Sequence, residues 1–343
     1  MRVHVVDPSA YTRPYDHALC HALAREGADV ELVTSAFAHG DVPAPDGYRL
    51  RESFYRRGGG VAGKLAQHVP DMLRERRAAA RGADVAHFQW LVVPHVDGLL
   101  LPRAPLVLTA HDVLAREPRP GQLAAERRLY ERADAVVVHT EHGRARLTGE
   151  LGVDPARVHV IPHGVLDGLA AVEPALPPEL PEPDRPVVLL FGLLRPYKGL
   201  DVLLEAWRGI DEAELWIVGA PRMEVGDLRA SAPAGVRWVT RFVSDAEAAA
   251  VFARATLAVL PYREIEQSGV LWTAVGLGVP VLASDVGGFS EVEGVTLVAP
   301  GDPAALHDAL RRAIADPPAA VDPSPYGWGE IARAHLALYR SLL

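Results

Sequence analysis

The run Phe191-Gly192-Leu193-Leu194-Arg195-Pro196-Tyr197-Lys198-Gly199 puts two cations just past an apolar stretch, and a helical pattern starts at Leu200. A strand that ends in a glycine-bearing loop and feeds a helix can turn its backbone N–H groups toward an anion. A guanidinium and an ammonium beside those groups suit a diphosphate: Arg195 can fork two oxygens, and Lys198 can meet charge that develops as the group leaves. Downstream, Glu266-Gln267-Ser268-Gly269-Val270 is a polar loop opening an apolar helix. The buried run Val279 to Ala283 follows, and then the tight turn Asp285-Val286-Gly287-Gly288. Ser268, Gly269 and Val270 can offer N–H groups at the helix start, while Gly287 and Gly288 allow a positive φ or a close backbone approach. An ordinary strand-to-helix turn would use the same two glycines.

The first half holds a different set. Leu108-Thr109-Ala110-His111-Asp112 ends a strand in two polar side chains, at the C-terminal rim where α/β sites lie. His87 and Trp90 in AHFQW, His139 in VVVHTEHG and His163 in IPHG also close strands. The loop after the first strand, Asp7 to His17, lacks glycine but is rich in aromatic and hydroxyl groups. Tyr11, Arg13, Tyr15 and His17, with Asp112, are candidates to meet the faces and hydroxyls of a sugar. Asp-Pro-Ser turn chemistry explains part of that loop, and Asp16 and His17 also suit a helix cap. His17 and His21 stand four apart on the first helix, but no Glu lies between them and no Cys cluster exists, so no metal site is expected.

These groups must be carried by strands and crossover helices. Short β-branched runs alternate with helical patterns throughout, which signals parallel sheets. Strands are expected near Val3–Val6, Val30–Val33, Val85–His87, Leu106–Thr109, Ala135–His139 and Val158–Ile161. A second set is expected near Val187–Phe191, Glu214–Val218, Val236–Val239, Leu257–Leu260, Val279–Ala283 and Thr296–Val298. The fold class is therefore α/β with two doubly wound parallel-sheet domains, 1–165 and 187–325. Residues 166–186, rich in Pro, Glu and Asp with no apolar period, read as the linker. Residues 326–343 form an amphipathic helix that must bury one face.

At 343 residues, 49% hydrophobic and with a mean hydropathy near zero, the chain suits a two-domain enzyme and not a membrane-spanning protein. The single cysteine, Cys20, fits a reducing compartment and reads as a small buried hydrophobe. No leader pattern precedes the first strand, so a cytoplasmic location is expected. A net charge of −9 argues against nucleic acid as a partner. Residues 55–81 run against that balance: Arg56, Arg57, Lys64, Arg74, Arg76, Arg77 and Arg81 face only Asp71 and Glu75. They read either as a solvated face or as a peripheral contact with anionic lipid or an anionic acceptor.

The Arg195–Gly199 loop, the Gln267-Ser268-Gly269 helix start, the Asp285–Glu291 turn and Thr109-Ala110-His111-Asp112 together resemble glycosyltransferase family 4, the retaining GT-B enzymes. The resemblance covers nearly the whole chain, most strongly from Val187 to Pro300. It implies two Rossmann-like domains facing a cleft: an N-terminal acceptor domain completed by the crossover helix 326–343, and a C-terminal domain for a nucleotide-sugar donor. It implies transfer from a UDP- or GDP-linked sugar to a glycan, lipid-linked or small-molecule acceptor. The nucleoside-diphosphate sugar would be a co-substrate, with no cofactor held by the protein. Arg195 and Lys198 would hold the diphosphate, and His111 the donor sugar. Two departures stand out. The family's Arg commonly lies five places before its Lys, where this chain has Leu193. Its second Glu, which binds the nucleotide ribose, is replaced by Thr273 or Ala274, depending on which glycine anchors the match. The first Glu corresponds to Glu266 or Glu264, or passes its role to Gln267. Arg241 stands where relatives often carry a Gly beside the base. A non-catalytic nucleotide-sugar or glycan-binding GT-B protein and a nucleotide-sugar epimerase are the alternatives.

Overall fold

A computed structural model describes residues 1–38, 40, 42–113 and 121–343. It divides into two compact units, Met1–Gly164 with Tyr326–Leu343, and Val165–Pro325.

In the first unit the strands are β1 (Arg2–Asp7), β2 (Asp29–Thr34), β3 (Arg49–Glu52), β4 (Val85–Phe88), β5 (Leu106–Thr109), β6 (Ala135–Val138) and β7 (Val158–Val160). They form one parallel sheet in the order β3-β2-β1-β4-β5-β6-β7. The helices are α1 (Arg13–Arg25), α2 (Gly60–Gly82), α3 (Pro94–Leu100), α4 (Gln122–Arg132) and α5 (Glu141–Glu150). Successive strand residues point to opposite faces, and that alternation divides the core. Val3, Val5, Val30, Leu32, Val107 and Val137 pack with buried Leu19, Cys20 and Leu23 of α1. Val6, Val33, Phe88, Leu108, Val136 and Val138 pack with Met72 and Ala79 of α2 and Leu129 of α4.

Strand β3 carries no apolar signal in its sequence, Arg-Leu-Arg-Glu. It lies at the edge, where only one side of the ladder needs a partner, and its charges are used sideways. Arg49 bonds Asp29 at 2.6 Å, and Arg51 bonds both Glu31 at 2.9 Å and buried Glu75 at 2.7 Å. Charged side chains on an edge also discourage pairing with another chain.

The second unit holds β8 (Val187–Phe191), β9 (Glu214–Val218), β10 (Val236–Val239), β11 (Ala255–Leu260), β12 (Val281–Ser284) and β13 (Thr296–Val298). Their order is β10-β9-β8-β11-β12-β13, again parallel. Its helices are α6 (Leu200–Ala206), α7 (Gly226–Ala230), α8 (Asp245–Arg254), α9 (Gly269–Gly276) and α10 (Pro303–Ala315). Trp207, Leu306 and Leu310 close one face of the sheet over Val188, Leu190, Leu215 and Ile217. The last helix, α11 (Trp328–Ser341), belongs to the first unit, where Ile331, Ala332, Leu336 and Tyr339 pack against the α1 side of the sheet.

Residues 166–186 are not a free linker. They lie on the second unit, held by main-chain bonds and charge. The Leu166 N–H donates to Trp272 O at 3.1 Å, and the Ala175 N–H donates to Ala246 O at 3.0 Å. Arg241 forks Glu179 at 2.7 and 2.8 Å and Glu247 at 2.6 and 3.0 Å. Hydrogen bonds from Arg241 hold Glu247 down to about 2. Arg254 forks Glu182 in the same way. Attachment through carboxylates and carbonyls leaves no hydrophobic period, so the sequence pattern shows only a polar stretch.

Candidate functional site

In each sheet the strand order reverses once, between β1 and β4 in the first unit and between β8 and β11 in the second. The loops at the C-terminal ends of those strands diverge, and the crevice they leave is where open α/β sheets bind ligands. Candidate residues follow β1, β8 and β11, while His111 and Asp112 follow the neighbouring β5 and Gly287 and Gly288 the neighbouring β12.

In the second unit, the loop after β8 folds into a single 3₁₀ turn, Pro196–Lys198, before α6. Lys198 is only 4% exposed. Its Nζ donates to Phe191 O at 2.8 Å and stands 5.1 Å from the centre of the Tyr262 ring, at the end of β11. Arg195 is half-buried, and its guanidinium makes no ion pair among the described residues. Two glycines make this arrangement possible. A Cβ on Gly199 (φ +66°) would sit 2.0 Å from Pro261 O, and one on Gly287 (φ +55°) would sit 1.7 Å from Ile265 O. The loops after β8, β11 and β12 are therefore pressed together at backbone distance.

Ser268 caps α9, accepting the Leu271 N–H at 3.4 Å, so Gly269 and Val270 occupy its first turn. Glu266 is buried just before this turn. Gln267 Oε1 is buried without a hydrogen-bond partner among the described residues. Thr273 is half-exposed one turn on, and its hydroxyl donates to Gly269 O at 2.9 Å. Ala274 is fully buried. Arg241, which stands where relatives often carry a Gly beside the base, is committed to Glu179 and Glu247 and holds 166–186.

In the first unit, Asp7 at the end of β1 turns the following loop by accepting the N–H groups of Ser9 at 3.0 Å and Thr12 at 3.2 Å. Tyr11 at the loop tip is exposed and packs edge-on against Trp90, with ring centres 4.7 Å apart. Trp90 Nε1 donates to the Thr12 hydroxyl at 2.9 Å. Asp112 is exposed beside them. Arg13, Tyr15 and His17 do not join this group. Arg13 and Tyr15 are buried on the inner face of α1, with Tyr15 packed among His111, His139, His163 and Trp328. His17 bonds the Tyr48 hydroxyl at 2.8 Å. The helical period turns Tyr15 inward with Leu19 and Ala22, so Arg13 and Tyr15 are buried where an exposed sugar contact was expected, while His17 stays half-buried. Among the described residues, no group of three or more His, Cys, Asp or Glu is placed to hold a metal ion.

Comparison with known proteins bears on this geometry. Residues 15–166 match the family model Glycosyltransferase Family 4, and residues 185–316 match Glycosyl transferases group 1. The chain belongs to glycosyltransferase family 4. Its relatives include the D-inositol 3-phosphate glycosyltransferases of Kineococcus radiotolerans, 28% identical over 94% of this chain and 88% of the relative, and of Xylanimonas cellulosilytica, 29% identical over 94% and 89%. Its fold is GT-B. Similar structures include sucrose-phosphate synthase from Thermosynechococcus elongatus (TM-score 0.72, 22% identity, 100% of this chain and 99% of that one). Another is Anabaena Alr3699/HepE in complex with UDP-glucose (TM-score 0.74, 19% identity, 100% of both chains).

Of the two residues that could stand at the family's second Glu, Thr273 reaches the surface of α9 and Ala274 is buried. His111, which the resemblance sets at the family's histidine, is 2% exposed. It stacks on Trp90, with ring centres 5.1 Å apart and planes 15° apart. Its hydrogen bonds fix its tautomer. His139 Nδ1 lies 2.9 Å from Ile161 O and must carry the proton. Burial lowers His139 to about 4, so this ring is neutral and its Nε2 accepts, from His111 Nδ1 at 3.2 Å. Burial also holds His111 well below its ordinary value. His111 Nε2 is therefore an acceptor, and we assign the amide nitrogen of Gln89 to the atom 3.0 Å away. Both imidazole nitrogens of His111 are thus engaged by protein. Gln89 and Tyr262 were not singled out from sequence, since both sit at strand ends with nothing but position to mark them.

The buried histidines have a consequence for pH. His139 and His335 are lowered to about 4, and His87, His111 and His163 lie well below 6.5, in each case chiefly by burial. Unfolded, each would take a proton near its ordinary value, so below that pH the unfolded chain binds more protons than the folded one. Their contribution is fully present above about pH 6.5 and is lost progressively down to about pH 4. The melting temperature should fall between pH 7 and pH 5, and less steeply in His139→Asn. A calorimetric series with identical slopes for both proteins would contradict this.

Proposed function

We propose that the protein is a retaining glycosyltransferase that moves a sugar from a UDP- or GDP-linked donor to a glycan, lipid-linked or small-molecule acceptor. The observation that carries this reading is the pairing of buried Lys198 with half-buried Arg195 at the β8–β11 crevice, within the same unit as the α9 N-terminus. The donor diphosphate would lie there, its charge met by the two cations and by the N–H groups of Gly269 and Val270, with Gly287 and Gly288 allowing close approach. Glu266 and Gln267 would meet the donor sugar. Thr273 would face the ribose with one hydroxyl whose proton is already given to Gly269 O, leaving it an acceptor only.

Departure of the diphosphate builds negative charge, and fixed cations lower that barrier because they need no reorganisation. In the front-face mechanism the leaving oxygen takes the acceptor's proton, so no paired carboxylates are required. The acceptor would meet Tyr11, Trp90 and Asp112, while His111 acts through Trp90, which it stacks. No cofactor held by the protein is needed, and we place the enzyme in the cytoplasm. Among the described residues, no helix is long and apolar enough to cross a membrane.

Thr273 in place of a carboxylate favours a second reading, a protein that binds the nucleotide sugar without transferring it. Thermal shifts against UDP, GDP, ADP, TDP and their sugar conjugates test the site, because a ligand of the native state alone raises stability in step with affinity. A shift with one base, and sugar transfer to an added acceptor, is expected. Binding without turnover would select the second reading, sugar isomerisation without an acceptor would select an epimerase, and no shift with any nucleotide would defeat the donor site.

A further inference from the structure

The outward face of α2 and α3 combines exposed apolar side chains with arginines that have no carboxylate partner among the described residues. Leu65 is 54% exposed, Val69 is 40% exposed, and Leu99 on α3 is 78% exposed. Leu65, Val69 and Leu73 follow one another at four-residue spacing, along one side of the helix. Toward its C-terminal end that side continues into a groove of about 410 Å³, lined by Leu73, Arg76, Arg77, Ala80 and Arg103. Arg76 donates to Leu99 O at 2.8 Å, which ties the two helices together at this face.

The distribution of charge is one-sided. The acidic residues of these helices point inward: Asp71 accepts the Tyr55 N–H at 2.8 Å, Glu75 bonds His4 at 2.8 Å, and Asp97 accepts the Val93 N–H at 2.8 Å. Some arginines of the chain are paired, as Arg74 on α2 is with Asp71, Arg127 with Glu131 and Arg241 with Glu179. Arg76, Arg77 and Arg103 make no ion pair among the described residues. On a chain of net charge −9, such a face is not there to balance the whole.

We propose that this face docks on an anionic lipid bilayer. Leucine and valine side chains on one side of a surface helix can enter the boundary between headgroups and acyl chains, while guanidinium groups at the same level fork lipid phosphates. A nucleic acid would meet the arginines but would leave the leucines exposed to water. The exposed apolar stripe therefore favours a bilayer. The proposal is independent of the transfer reading, and its test needs no enzymatic activity.

The test is co-flotation of the full chain with vesicles of phosphatidylcholine alone and of equimolar phosphatidylcholine and phosphatidylglycerol. Binding is expected to the mixed vesicles only, and to weaken as salt is raised. The triple variant Arg76→Glu, Arg77→Glu, Arg103→Glu should bind roughly 100-fold less, each cation near the surface being worth about fivefold. Leu65→Ser with Val69→Ser should also weaken binding while leaving its salt dependence in place. Melting temperatures matching the parent would show that both variants fold. Equal binding of parent and triple variant, binding to phosphatidylcholine alone, or no flotation of the folded parent would each overturn the proposal; the last would leave a protein partner as the occupant of this face.

Discussion

Lys198→Ala should lower the turnover of sugar transfer roughly 30- to 1000-fold, about 2–4 kcal/mol of barrier, if its ammonium meets charge on the departing diphosphate. Arg195→Ala should have an effect of the same order. The two differ in what else they remove. Lys198 also bonds Phe191 O and packs over Tyr262, so its loss should cost stability as well as rate. Arg195 is half-buried with no ion pair among the described residues, so its removal should leave the melting temperature unchanged. Steady-state kinetics beside thermal unfolding separate the effects. Unchanged turnover in Arg195→Ala would remove that guanidinium from the mechanism, whatever Lys198 does.

Gly199→Ala is expected to be as damaging without touching either cation. Its φ of +66° is strained for alanine, and the new Cβ would lie 2.0 Å from the Pro261 carbonyl oxygen. That oxygen is main chain and cannot rotate aside, so the loop carrying Lys198 must lift from the loop after β11. A loss of roughly 3–5 kcal/mol in unfolding free energy is expected, together with transfer activity reduced beyond what the unfolded fraction explains. Gly209→Ala is the control. Its φ is +79° but nothing lies within 4 Å of the added Cβ, so only the backbone strain of about 1–2 kcal/mol should appear. Equal losses in both variants would mean that the contact with Pro261 is not what holds the loop.

Much of the fold was legible because the groups that build it leave a period. Buried parallel strands read as β-branched runs, and the expected runs lie on strands β1, β2, β4 to β7 and β8 to β13. Strand β3 escaped because an edge strand held by Arg49 and Arg51 has no apolar alternation to see. Residues 166–186 were misread for the same reason, since Arg241 and Arg254 secure them through carboxylates. In the candidate site, Arg195, Lys198 and the Ser268–Gly269 helix start were visible, as each sits where a strand pattern ends. Arg13, Tyr15 and His17 were placed at the surface by their chemistry, although α1 turns Arg13 and Tyr15 into the core.

What the sequence by itself determined is therefore the local part: which residues form strands and helices, and which polar groups stand at strand ends, because both follow from spacing along the chain. The tertiary structure decided how those ends are used. The strand order alone brings the β8 loop beside the β11 loop, so that Lys198 meets Tyr262, and brings β4, β5 and β6 together, so that Gln89, His111 and His139 form one hydrogen-bonded row. These partners lie 22 to 64 positions apart in the chain. No period in the sequence connects groups so far apart; only the packing of helices on a twisted sheet does.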